Sequence, residues 1–169
     1  LGDVYKRQGK TLSVYDFCKQ VDAQTVLIVT NRPAIANSWY SDYVRFLGRE
    51  SGYLFVSHVD ALAGQPHVLD EQGYLDAAAQ DEELYKRIEF VSLQDMKGSK
   101  YFGGEYDKLQ HLTELNWDVL VIDEAHEGVD TYKTDLAFDH IRRRFTLHLS
   151  GTPFKALAND KFTGDAIFN

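Results

Sequence analysis

The sequence predicts an α/β domain: a mostly parallel sheet flanked by helices. Three observations carry that prediction. Unbroken runs of strand-forming residues occur at Thr25–Thr30, Tyr53–Ser57 and Val119–Ile122, helical periodicity fills the intervals between them, and proline or glycine stands at several of the joins. A strand that is aliphatic at every position is covered on both faces, which is the habit of parallel sheets packed under helices. Strands that alternate with helical patterns predict parallel crossover units. The length of 169 residues and the 44% hydrophobic content suit one domain with a real core.

Residues 1–8 have no apolar run and resemble a translated sequencing-adapter scar, so the native chain is expected to begin near Gly9. Gly9-Lys10-Thr11 opens a predicted helix whose apolar stripe is Leu12, Val14, Tyr15 and Cys18. Thr25-Val26-Leu27-Ile28-Val29-Thr30 is a buried strand, and Asn31-Arg32-Pro33 starts a second helix, where proline suits the first turn. Its inward face is Ile35, Trp39, Tyr43, Phe46 and Leu47, and Gly48 caps its end. After the strand Tyr53–Ser57, the stretch from His58 to Gln80 reads as a loop or insertion punctuated by Gly64, Pro66 and Gly73. A short charged helix is predicted over Asp81–Arg87, a strand over Ile88–Leu93 and a glycine-containing loop over Lys97–Gly104. A helix is expected over Glu105–Leu115, with Leu109, Leu112 and Leu115 on one face. Asn116-Trp117-Asp118 turns into the strand that ends at Asp123. Glu127–Thr131 reads as loop, Tyr132–Arg143 as helix and Phe145–Leu149 as the last strand.

Composition excludes several function classes. A single cysteine, Cys18, permits no internal disulfide, and the chain has no apolar stretch of bilayer-spanning length. A cytoplasmic protein without membrane contact is expected. The net charge of -8 argues against gripping nucleic acid by bulk electrostatics. The one dense basic cluster, Arg142-Arg143-Arg144, reads as a helix end with a solvated face. His58 and His67 are expected to face solvent or to be satisfied locally, and no histidine or cysteine spacing indicates zinc.

Chemistry is concentrated at two places. Gly9-Lys10-Thr11 matches the tail of the phosphate-binding loop G-x-x-x-x-G-K-[ST], but Val4 stands where the first glycine belongs and no strand precedes it. Asp123-Glu124-Ala125-His126 ends a buried strand at the sheet edge where ligands of such folds bind. Phosphoanhydride hydrolysis needs a phosphate cradle, a magnesium ion and a carboxylate that positions water. Lys10 is the candidate for the terminal phosphates, Thr11 and Asp123 for magnesium, and Glu124 for the water. The bland alternative is a solvated acidic strand end. Ser150-Gly151-Thr152-Pro153 leaves the last strand, where Gly-Thr-Pro also makes an ordinary turn.

The order G-K-T, D-E-A-H, S-G-T-P resembles the first motor domain of superfamily 2 helicases and translocases. In the forms D-E-A-H and S-G-T-P-F it looks most like the ATP-dependent motor subunit of restriction enzymes. That resemblance implies a RecA-like P-loop NTPase fold that lacks its first strand, with ATP and Mg2+ as cofactors. It puts nucleotide binding on Gly9, Lys10 and Thr11, metal binding on Thr11 and Asp123, and catalysis on Asp123 and Glu124. His126, Ser150 and Thr152 take the coupling role. Thr30, Asn31 and Arg32, with Ser92 and Gln94, take the nucleic-acid contacts; helix capping by Asn31 and Ser92 is the blander reading. The implied partners are nucleic acid, expected to be double-stranded DNA, a second RecA-like domain that supplies an arginine across the cleft, and methylase or specificity subunits. A non-catalytic RecA-like binding domain is the competing expectation. A metabolic P-loop kinase has no use for S-G-T-P.

Overall fold

A computed structural model describes residues 2–81, 85–123, 136–149, 154–158 and 166–168, with side chains over 9–81, 85–123 and 136–149. In chain order the elements are α1 (Gly2–Gln20), β1 (Thr25–Thr30), α2 (Ala36–Phe46), β2 (Tyr53–Ser57), β3 (Val68–Leu69), α3 (Glu71–Gln80), β4 (Lys86–Ser92), α4 (Leu93–Gly98), α5 (His111–Glu114), β5 (Trp117–Asp123), β6 (Arg143–Leu149), β7 (Phe154–Ala158) and β8 (Ala166–Phe168). The strands form one sheet in the order β3-β2-β4-β1-β5-β6-β7-β8. The six from β3 to β6 are parallel, and β7 and β8 add antiparallel. The α/β class with a mostly parallel, helix-flanked sheet is therefore what the chain adopts.

Alternation along the strands divides the core into two faces. Val26, Ile28, Tyr53, Phe55, Ile88, Phe90, Val119 and Val121 point toward α1 and α2, where Val14, Tyr15, Cys18, Trp39 and Tyr43 meet them. Leu27, Val29, Val91, Leu120 and Ile122 point the other way, onto Leu93, Met96, Leu112, Phe138 and Ile141. Both faces of β1 and β5 are covered, which is why these strands are aliphatic at successive positions.

Several expected boundaries change. Helix α1 begins at Gly2, not Gly9, and its buried stripe is Thr11, Val14, Tyr15 and Cys18; Leu12 is exposed. The second helix begins as a 3-10 turn at Pro33–Ile35, and Phe46 lies outside its buried face. Gly48, at φ 65°, closes it by donating to the Tyr43 carbonyl at 2.8 Å. The stretch expected to be loop contains β3 and the helix α3, capped by Asp70, whose carboxylate accepts from the Gly73 amide at 2.7 Å. Helix α3 buries none of its residues fully, so it has no apolar stripe to read. Lys86 and Arg87 belong to strand β4, not to a helix, and Leu93 opens α4 instead of ending the strand. The helix expected over Glu105–Leu115 shrinks to α5, because Leu109 takes the left-handed φ of 61°. Arg143 and Arg144 lie at the start of β6 and not at a helix end, and Arg143 donates to the Ile141 carbonyl at 2.9 Å. His58 and His67 face solvent as expected. The loop expected over Glu127–Thr131 and most of the helix expected over Tyr132–Arg143 lie outside the described residues.

Candidate functional site

The parallel register lines up the candidate residues. Ser92 of β4 pairs with Thr30 of β1, Thr30 with Asp123 of β5, and Asp123 with Leu149 of β6. One row across four adjacent strands therefore carries the ends of the segments that sequence reading singled out. This row is the carboxyl edge of the sheet, where ligands of open α/β folds bind. Glu124, His126, Ser150 and Thr152 lie outside the described residues.

Asp123 is half-buried and its side chain shares the α1/α2 side of the sheet. The Trp39 indole N–H donates to Asp123 Oδ2 at 3.1 Å. Trp39 is itself fixed, being 1% exposed, with its carbonyl accepting from the Tyr15 hydroxyl at 2.7 Å and its ring edge-on to Tyr15 at 5.7 Å. A buried indole N–H needs an acceptor, and here the acceptor is the strand-end carboxylate. One turn along α2, Asp42 is 5% exposed and hydrogen-bonded to the Thr11 hydroxyl. Burial raises the Asp42 pKa, against the Thr11 hydrogen bond and the Arg45 charge, which lower it. Helix α2 thus contacts both candidate magnesium ligands, Asp123 through Trp39 and Thr11 through Asp42.

Gly9, Lys10 and Thr11 lie inside α1, and Ser13 bonds back to the Gly9 carbonyl at 2.8 Å. Amides within a helix are committed to carbonyls four residues earlier, whereas a phosphate cradle uses the open amides of a helix N-terminus. In this arrangement the amides of residues 9–11 lie within the helix and not at its N-terminus. Asp123, a carboxylate at the strand edge, does suit a hard divalent cation.

Thr30 is fully buried, and its hydroxyl accepts from the Arg32 amide at 3.0 Å. Ser92 is 4% exposed and caps α4 by accepting from the Asp95 amide at 3.1 Å. Asn31 precedes the cap position, which Arg32 holds. The Asn31 carbonyl accepts from the Gln94 side chain at 3.1 Å, which ties the two strand-end loops together. Arg32 and Gln94 are exposed at this edge.

Beside these loops a cavity of about 660 Å³ opens, with Pro33, His58, Ser92, Asp95, Lys108 and His111 among its lining. Sequence reading missed the charged group next to it. Glu89, fully buried in β4, accepts from His111 Nε2 at 2.7 Å and from Arg87, which also pairs with Glu71. The available signal was Arg87 and Glu89 on alternate positions of a strand whose other face holds Ile88 and Phe90. Opposite charges two residues apart on a covered strand mark a buried pair.

A six-stranded parallel sheet with helices on both faces and a carboxylate ending a central strand is consistent with the RecA-like α/β class. Within it, the family model described as "Type III restriction enzyme, res subunit" matches residues 8–155, and the chain belongs to that family, whose domain is of the RecA-like helicase type. A Mycoplasma pneumoniae protein described as the C-terminus of a putative type II restriction enzyme and methyltransferase is 24% identical over 203 aligned positions. The match covers 96% of this chain and 26% of that protein, so the chain spans about a quarter of the relative's length. Among the described residues no helix is long and apolar enough to cross a membrane.

Proposed function

We propose that the chain is part of the ATP-hydrolysing motor of a DNA-dependent helicase or translocase in a restriction-modification system. The observation that carries this reading is the row Ser92, Thr30, Asp123 at the carboxyl edge of a family-assigned RecA-like sheet. Asp123 is the candidate magnesium ligand and Glu124, next along the chain, the candidate for positioning water. Lys10 and Thr11 are the candidate nucleotide contacts; their helical setting means that a cradle at these residues requires α1 to begin at Gly9. His126, Ser150 and Thr152 are the candidates for coupling to a second RecA-like domain. Arg32 and Gln94 have the exposure that backbone phosphate contacts need. The restriction and methyltransferase description of the relative supports DNA as the track and a methylase as a partner.

The test is phosphate release from ATP and magnesium by the full-length protein with duplex DNA. DNA-stimulated release is expected, with Glu124→Gln abolishing turnover while nucleotide binding persists. Undiminished release in that variant removes Glu124 from the chemistry.

The placement of Gly9–Thr11 inside α1, with Thr11 on Asp42, favours a second reading: a RecA-like domain that binds a partner or DNA without hydrolysing nucleotide. Magnesium-dependent ATP binding by the full-length protein excludes its purely structural version, and DNA-stimulated phosphate release excludes it altogether.

A further inference from the structure

The Glu71, Arg87, Glu89 and His111 network sits on the other side of β1 from Asp123 and has no part in the proposed hydrolysis. Its members come from three elements: Glu71 from α3, Arg87 and Glu89 from β4, and His111 from α5. Glu89 lies in the middle of the parallel sheet, opposite Leu27 of β1 and Val56 of β2. A carboxylate in such a position is tolerated only when its charge is compensated. Arg87 compensates one of the two carboxylates and never loses its proton. The network is therefore neutral only when His111 carries the second positive charge.

The two contacts with Glu89 have the lengths of hydrogen bonds. His111 Nε2 lies 2.7 Å from Glu89 Oε2, 3.0 Å from Oε1 and 3.7 Å from Glu71 Oε2. Two atoms 2.7 Å apart are joined by a hydrogen bond, whereas tetrahedral zinc ligands at ~2.0–2.2 Å from the metal stand roughly 3.3 Å from one another. A divalent ion here would also face the Arg87 guanidinium. The cation that fits is a proton.

His111 is reachable from outside, with its side chain 19% exposed and lining the cavity. The wall that carries it, residues 107–115, has little regular structure: helix α5 has four residues and Leu109 has a left-handed φ. It is anchored by the fully buried Leu112, by the Ser99 hydroxyl to the Lys108 carbonyl at 2.6 Å, Lys108 to Asp95 at 3.0 Å, the Tyr101 hydroxyl to Asp107 at 3.1 Å and the Trp117 indole to the Leu112 carbonyl at 3.1 Å, and by Arg142 donating to the Glu114 carbonyl. Helix α3, by contrast, stays attached through Glu71 and the permanently charged Arg87 whatever the state of the imidazole. The charged or titratable groups around His111 are Glu89 and Glu71 beside its ring, Arg87 behind them, His58, Asp60, Asp95 and Lys108 in the cavity lining, and Glu114 on its own helix.

We propose that Glu71, Arg87, Glu89 and His111 form a proton-operated clasp, which holds the 107–115 wall of the cavity against the sheet while the imidazole carries its proton and releases that wall when it does not. Loss of the proton leaves one carboxylate uncompensated next to the core. Water must then reach it, and the short segment that bears His111 is the one that yields. The consequence is a cavity beside the Asn31 and Gln94 loops whose 107–115 wall is fixed at low pH and yields at higher pH. Burial by itself would lower the His111 pKa, but the hydrogen bond and charge of Glu89, with the charge of Glu71, outweigh burial and Arg87, so it is raised above 6.5.

The experiment is a side-chain NMR titration of His111 combined with amide hydrogen exchange over residues 107–115. Exchange is corrected for its intrinsic pH dependence, from about pH 5.5 to about pH 8.5, on either side of the ordinary imidazole value. The expected result is a raised His111 pKa and a segment whose opening constant climbs through it. Opening increases about tenfold for each unit by which the closed-state pKa exceeds that of the open state. His111→Gln keeps a donor to Glu89 but cannot titrate, so its segment should exchange independently of pH. Glu71→Gln, at the exposed end of the network, should fold and lower the His111 pKa relative to wild type, which tests the clasp even where His111→Gln does not fold. A His111 pKa at or below the ordinary value overturns the proposal. Exchange that stays flat in the wild type, exchange that rises equally in His111→Gln, or a pKa unmoved by Glu71→Gln does the same.

Discussion

The two faces of the sheet satisfy their buried polar atoms by opposite means. On the α1/α2 face the donors are neutral: the Tyr15 hydroxyl bonds the Trp39 carbonyl at 2.7 Å, the Tyr53 hydroxyl bonds the Ala23 carbonyl at 2.6 Å, and the Trp39 indole bonds Asp123 at 3.1 Å. On the α3/α5 face neutral donors also meet carbonyls, as the Trp117 indole does at Leu112, but the buried carboxylate is met by charged donors, with Arg87 bridging Glu71 and Glu89 and lying over the rings of Tyr74 and Trp117. Neutral donors fix geometry without regard to pH over the ordinary range. A charged network of the same size depends on every member and on protonation. The difference matches position: the neutral face holds the strand-end carboxylate in place, and the charged face borders a cavity.

The largest expected effect is at the charged face. Arg87→Ala leaves two carboxylates together, one of them fully buried, and should cost about 3–5 kcal/mol in a urea titration. A loss below about 1 kcal/mol would mean that the network is not what joins α3 to the sheet. On the neutral face Trp39→Phe keeps most of the packing but removes the donor to Asp123, for an expected cost of about 1–3 kcal/mol. Gly104→Ala should cost a similar 1–3 kcal/mol, about that of overpacking a core, because a Cβ there would lie 2.4 Å from the Gly98 backbone. Its effect should appear first as faster exchange in the loop that leads to α5. Leu12→Ser, on the exposed side of α1, should change stability by no more than about 0.5 kcal/mol.

pH separates the faces in sign as well as size. His111 has a raised pKa, so its contribution is complete below 6.5 and is lost as pH climbs through the higher folded value. Burial opposes ionisation of Glu89, but hydrogen bonds and charges from His111 and Arg87 win and lower its pKa. Its contribution is complete above 4.5 and is lost as pH falls through the lower folded value. Wild-type stability measured by urea unfolding should therefore gain from the network most between these two ordinary values. The tyrosines of the other face behave differently: burial raises Tyr43 to about 12, so its contribution is constant below 10. His111→Gln should remove the decline on the alkaline side of 6.5, and an unaltered decline would place the titrating group elsewhere.

Sequence showed the neutral face well and the charged face poorly, for physical reasons. Strands β1 and β5 are aliphatic because both their sides are covered, and Trp39 and Tyr43 fall at helical spacing, so pattern and burial coincide. Phe46 and Leu12 also fit a helical stripe, yet each lies at the margin of its helix's buried arc and is exposed. Helix α3 carries Gly73 in its first turn and buries nothing fully, so neither propensity nor periodicity marks it. The Glu71 to His111 contact joins segments on either side of β4, and nothing local pairs them. Of the candidate site, the row of strand ends was legible because motif spacing follows strand length. The helical setting of Gly9–Thr11 was not, since G-K-T reads the same inside a helix as at its start. The roles of Glu124, His126, Ser150 and Thr152 rest on the family pattern alone.

The division of labour between the two faces is tested most directly by one assay: phosphate release from ATP by the full-length protein with magnesium and duplex DNA, comparing wild type, Asp123→Asn and His111→Gln. The expectation is a loss of about a hundredfold or more for Asp123→Asn, since a metal ligand supports several kcal/mol of transition-state stabilisation, and retained turnover for His111→Gln. Turnover that survives in Asp123→Asn would contradict the assignment of the strand-end carboxylate as the centre of the motor.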